Sequence, residues 1–188
     1  MKSNRPKYVF DATPLIYLAK TSLLEAALES CEAFATETVR KETTEDTDYP
    51  DAVIIGDSIE KGLLKIHSPG NEAKMKALSR HPEIHLGEAE TLASAEELKA
   101  TAIIDDKEAR AVAELYNIPT RPGTLYILFR LTATDRLDAS TAEDKLDQMI
   151  NAGLYLDPRT LVAAKRKLRE HQTPPKKTQQ NHDKTNTF

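Results

Sequence analysis

Apolar residues along this chain come in short bursts, each followed by a stretch with helical spacing. Tyr8, Val9 and Phe10 form the first burst, three residues with strong strand propensity. A helix follows at once. Thr13 is read as its cap and Pro14 as its first residue, where a missing N–H would have gone unpaired anyway. Leu15, Ile16, Leu18 and Ala19 supply its apolar face, and a second short helix begins at Ser22. AFAT (33–36) predicts a second strand, and ETVRKET a short helix carrying Val39 and Glu42. The polar run TTEDTDYP breaks the pattern before DAVIIGDSIEKG, which has helical spacing and stops at Gly62. LLKIH is the third strand candidate, residues 71–79 look helical, and HPEIHLG reads as loop.

Gly87-Glu88 opens a helix of strong formers in which Leu92, Ala93 and Ala95 can face a sheet. TAIIDD is a fourth strand ending in two aspartates, KEARAVAELYNI returns to helical spacing, and IPT is a weak last strand. Gly123 leads into the helical TLYILFRL, and two more helices are expected over 139–152 and 158–170. This alternation predicts a three-layer α/β/α, Rossmann-like fold with a central parallel sheet and right-handed crossovers. In the strand order 3-2-1-4-5, strands one and four are neighbours whose crossovers diverge, which is a topological switch point. There is no internal repeat. The expected division is one domain over 1–171 and a basic polar tail over 172–188, read as disordered because it has almost no apolar residues and two prolines.

Composition narrows the setting. A length of 188 residues suits one domain that buries about two-thirds of its unfolded surface. One cysteine, Cys31, excludes an internal disulfide, and no Cys/His spacing suggests zinc, so a reducing, cytoplasmic setting is expected. His81 and His85 have ligand spacing for a helix, but Pro82 between them argues against that helix. No apolar leader segment and no run near the ~20 residues of a membrane span are present, so neither export by that route nor a membrane partner is expected. The net charge of −4 is uneven: residues 159–188 hold eight basic and two acidic residues, a balance of +6, which leaves −10 on the first 158. Such a pattern suits a carboxylate-rich site beside a phosphate-attracting arm, and suits ordinary solvated surfaces equally well.

The candidate chemistry is acidic. Asp11 closes the first strand as Asp105 and Asp106 close the fourth, and ligands of open α/β sheets bind at that edge. The plain alternative for Asp11 is a favourable charge at a helix start. Glu42 and Glu88 are placed near the starts of helices that can flank the same edge, while Glu90, two positions beyond Glu88, is a further contender read in preference as solvent-exposed. Carboxylates converging on one crevice cannot all stay ionised without a cation. Mg²⁺ or Mn²⁺ is the natural partner, being a hard ion that takes carboxylate oxygens and keeps several waters. One such ion can ionise a water, and a second about 3.5–4 Å away can stabilise the leaving oxygen of a phosphodiester. The chemistry that follows is hydrolysis of a nucleic-acid backbone. Arg110 is a candidate for a substrate phosphate, for holding a carboxylate, or for a plain i,i+4 pair with Asp106. Tyr126 and Phe129 read most simply as core or dimer interface.

FDATPLIYLAK after a strand, then V-x-x-E, LGEAETLASA, IIDDKEAR and Gly123-Thr124, in that order and spacing, resemble a PIN-domain protein, in particular the archaeal and bacterial VapC-like, toxin-related group. The resemblance implies a Mg²⁺- or Mn²⁺-dependent endoribonuclease with RNA as substrate, a homodimer, and a small antitoxin partner. It makes Asp11 the first metal-binding acid, Glu42 the second, Glu88 the third and the Asp105-Asp106 pair the last. Thr13 matches the small hydroxyl residue two positions after the first acid, and with Arg110 is a candidate for touching substrate phosphate. Many family members have Asp where Glu88 stands, and Thr-x-Asp after the fourth strand. Which of Asp105 and Asp106 meets a metal stays open, with the strand-terminal Asp105 favoured. A haloacid-dehalogenase-like phosphohydrolase would need a second Asp two positions after the first, where Thr13 stands. The rival from another class is a binding module of the same fold with a weak or dead metal site.

Overall fold

The computed structural model describes residues 5–170, so the tail expected over 172–188 lies outside the described residues. Five short strands lie parallel in the order β3-β2-β1-β4-β5: β1 (Lys7–Phe10), β2 (Glu32–Ala35), β3 (Leu64–Ile66), β4 (Thr101–Ile104) and β5 (Thr120–Pro122). The order and direction are those expected from the sequence. Val9 of the central strand stands opposite Phe34 on one side and Ala102 on the other. A strand with neighbours on both edges and helices on both faces must be apolar throughout, which explains why Tyr8, Val9 and Phe10 run without alternation.

The pleat sends these side chains to two cores. Tyr8, Phe10, Ala33, Ala35 and Ile103 pack under α1 (Ala12–Lys20), α2 (Leu24–Glu29) and α8 (Gly123–Ala133), with α9 (Ala139–Asn151) and α10 (Pro158–Glu170) closing that layer. Val9, Phe34, Ala102 and Ile104 meet α6 (Leu86–Leu98) and α7 (Lys107–Leu115) on the other face. Three further helices complete the described residues: α3 (Glu37–Thr44), α4 (Pro50–Glu60) and α5 (Glu72–Leu78). The small residues Ala89, Ala93 and Ala95 of α6 are fully buried, which lets this helix lie close over β1 and β4.

Two helix starts differ from expectation. Helix α1 begins at Ala12 with Asp11 as its N-cap, so Thr13 is not the cap and Pro14 is the third helical residue. Proline is tolerated there because no N–H of the first turn has an intrahelical partner. Helix α6 begins at Leu86, one residue ahead of Gly87. The basic face of α10 is partly neutralised inside the fold, since Lys165 pairs with Asp147 and Arg169 with Glu143, both on α9. Cys31 is 2% exposed, and burial pushes its thiol up to about 12. Among the described residues no helix is long and apolar enough to cross a membrane.

Candidate active site

Strand β1 delivers Asp11 to the crevice with almost no freedom. The Asp11 N–H still donates to the Ile103 carbonyl of β4 at 3.1 Å, so the residue is an extension of the ladder, and it is only 7% exposed. Its carboxylate caps no helical N–H two or three residues on, unlike most acids at helix starts. Burial pushes its carboxyl up to about 7; the charges of Glu88, Glu42 and Asp105 add to the rise, and the Ala12 N–H opposes it. Asp11 therefore feels the three other acids that sequence alone had assigned to the same edge.

The two aspartates after β4 part company. Asp105 turns toward α8, where its oxygens accept the Thr124 N–H at 3.0 and 3.1 Å and the Thr124 hydroxyl. Gly123 makes this possible: a Cβ there would stand 2.7 Å from the Asp105 carboxyl carbon and 2.6 Å from the Pro14 ring. That close approach also locates Asp105 beside the first turn of α1, next to Asp11. Burial raises the Asp105 carboxyl, while Thr124 and the Arg110 guanidinium hold it down. Asp106 is the N-cap of α7, its Oδ1 accepting the Ala109 N–H at 2.7 Å. Arg110 binds neither carboxylate in a salt bridge. Its Nη1 donates to the carbonyls of Ile104, Asp105 and Asp106 at 2.9, 2.8 and 3.1 Å, clamping the turn that presents Asp105.

Glu42 and Glu88 approach from α3 and α6. Glu42 lies in the second turn of α3 rather than at its start, and its oxygens would be 3.3 and 3.4 Å from a Cβ at Gly87. Burial raises its carboxyl, with Glu90 adding to the rise and His85 opposing it. One Glu88 oxygen accepts the His85 N–H at 2.7 Å, a structural role at the helix start. Burial, Asp106 and Glu42 all raise the Glu88 carboxyl. The expectation that Glu90 is solvent-exposed fails: it is half-buried and accepts the Thr38 N–H at 3.4 Å, joining α6 to the start of α3. Thr13 is half-buried in the first turn of α1. Sequence reasoning passed over Tyr17, whose hydroxyl burial and Asp105 together raise. It also cited Gly123-Thr124 only as part of a pattern; the glycine beside a fifth strand was the signal of a close approach.

Comparison with protein families decides the family: a family model described as a PIN domain matches residues 7–170. The chain belongs to the PIN-domain family. No curated protein matches it. PIN domains have a nuclease fold, act on nucleic acids and generally use divalent metal ions.

The PIN domain's acids match such an ion in their chemistry. They offer hard carboxylate oxygens and no thiolate, and among the described residues no Lys or Arg lies within ion-pair distance of Asp11, Glu42, Glu88, Asp105 or Asp106. Among the described residues no three His, Cys, Asp or Glu side chains are already grouped to hold a metal ion. An acid whose folded value lies above its unfolded one costs stability as pH rises between the two, and the cost is complete above the folded value. For Asp11 that window runs from 3.8 to about 7. At about 1.36 kcal/mol per pH unit, the PIN domain in chelator should lose up to about 4 kcal/mol relative to an Asp11→Asn variant between pH 4 and pH 8. Urea unfolding of both proteins across that range measures the difference. A constant difference would mean that Asp11 is not held as described.

Proposed function

We propose that this PIN domain is a Mg²⁺- or Mn²⁺-dependent endoribonuclease, the toxin half of a toxin–antitoxin pair, acting as a cytoplasmic homodimer. The carrying observation is that Asp11, buried at the end of β1, is raised by burial and by the charges of Glu88, Glu42 and Asp105, acids carried on three other elements, with no Lys or Arg in a salt bridge to any of them among the described residues. Asp11, Asp105, Glu42 and Glu88 would hold the ion, with Asp106 and Arg110 fixing the turn that carries Asp105. Bound there, a divalent cation supplies a water ionised at neutral pH and stabilisation of charge on the phosphate. The chain's own contribution is to hold Asp11 and Asp105 at strand ends and to orient Asp105 through Thr124.

Thermal stability tests the site before any substrate is needed. Mn²⁺ at about 100 times its dissociation constant adds about 2.7 kcal/mol, and a domain of this size gains about 2–4 °C per kcal/mol. A rise in Tm of about 5–10 °C is therefore expected, together with cleavage of a mixed RNA pool that maps to defined 5′ ends. A flat Tm with no cleavage would favour the other reading, a binding module. That reading draws support from the hydrogen bonds that Asp105 and Glu88 already make.

A further inference from the structure

A cavity of about 250 Å³ opens between α1, α3 and the start of α4, with Glu42 in its lining. Its floor is apolar, from Ile16 and Ala52. Tyr49 stands at its edge with 59% of its surface exposed, an unusual position for so large a ring. Asp46, Asp51 and Glu42 line it with carboxylates, and Lys20 is the one cation in its lining. The volume falls just below the roughly 300–1,000 Å³ of clefts for drug-sized ligands, so it suits a single small ring system.

These features select a ligand by its chemistry. A flat face is needed to use Tyr49 and the apolar floor, hydrogen-bond donors at the edge to use acceptor-only carboxylates, and an attached negative charge to use Lys20. A nucleotide carries all three, and the cavity adjoins an acid of the proposed cleavage site. Guanine presents two adjacent donors, N1–H and the N2 amino group, which meet one carboxylate side by side. Cytosine and adenine offer an amino group each. Uracil's single N3–H is flanked by two carbonyl oxygens, which a carboxylate repels.

We infer that this cavity reads the base next to the scissile phosphate, and that it prefers guanine and rejects uracil. The inference rests on the nuclease reading for its place in the reaction, and base selection itself can be measured without cleavage. In this arrangement Tyr49 stacks on the base, Asp46 and Asp51 accept its edge donors, and Lys20 meets the backbone phosphate. None of these four residues belongs to the acid cluster.

The test uses the full chain carrying Asp11→Asn, with labelled uridine octamers that contain one central guanosine, cytidine, adenosine or no replacement, read by fluorescence anisotropy. The guanosine octamer should bind about 5- to 150-fold tighter than the all-uridine one, the span that one stacked and bonded base provides. Adding D46A and D51A together should bring the two within about twofold of each other, with thermal melting confirming the fold. Adding Y49A should weaken the guanosine octamer far more than the all-uridine one. Equal binding of all four octamers, a preference for uridine, or a guanosine preference that survives D46A/D51A would each overturn the assignment. A second arm follows cleavage of a degenerate RNA pool by the parent with Mn²⁺, where guanine should be enriched at one position beside the cut and lose that enrichment in D46A/D51A. If the parent does not cut, the nuclease reading falls, and the anisotropy series still decides the base preference.

Discussion

An Asp11→Asn variant is expected to cut RNA at least about 100-fold more slowly than the parent while folding as well or better. Replacing residues that merely support a metal ligand commonly costs 10–100-fold, and Asp11 is the acid on which the other three act most directly. Asparagine keeps the shape and one acceptor oxygen but removes the charge. The backbone bond from residue 11 to Ile103 is untouched, so the sheet has no reason to change. Removing a buried negative charge that is pushed up to about 7 should also raise stability in chelator at pH 8. Single-turnover cleavage with saturating Mn²⁺ and a melt in chelator give the two readouts. Near-parental cleavage would remove Asp11 from the site.

The second large effect is expected from one methyl group. In Gly123→Ala the new Cβ would lie 2.6 Å from the Pro14 ring and 2.7 Å from the Asp105 carboxyl, distances at which something must move. Pro14 is a fixed ring within α1, and Asp105 is tied to Thr124, so neither yields as the end of a flexible chain would. Helix α8 must retreat or Asp105 must rotate. Overpacking of this kind costs about 1–3 kcal/mol. Displacement of a reacting group by about 1 Å can cost about 100-fold in rate. Gly56→Ala is the matched control, because nothing lies within 4 Å of its new Cβ and it sits inside α4. That change should be neutral or stabilise by about 0.5–1 kcal/mol. Comparable losses in both variants would show that the crowding at Gly123 does not matter.

What the sequence reveals about this PIN domain follows from how local each signal is. Asp11 and Asp105 are legible because a buried parallel strand is a short apolar run, and its last residue is fixed by the first acid after it. The choice between Asp105 and Asp106 is not legible, since both follow the strand and the deciding partners differ. Thr124 lies 19 positions beyond Asp105, whereas Asp106 finds the Ala109 N–H within its own helix. Glu90 was misjudged for the same reason, as its partner Thr38 is 52 positions away. The start of α1 was misplaced because Asp11 and Thr13 are both residue types common at helix starts; Asp11 takes the N-cap position without a side-chain cap bond, its N–H held on Ile103 by the strand ladder. The cavity lined by Glu42 draws most of its wall from residues 42–52, but it is closed by Ile16 and Lys20 of α1, a packing of distant segments that no local pattern announces.

The lone thiol turns this molecule into its own clock. Cys31 is shut beneath α2 and reluctant to ionise, so an alkylating reagent can reach it only when that layer lifts from the sheet. Because the chain has no second cysteine, all labelling reports on this one place, and at reagent levels where reaction outpaces reclosing its rate equals the rate of opening. The rate, followed by mass, would then report how often the scaffold breathes in every variant, with no foreign probe attached.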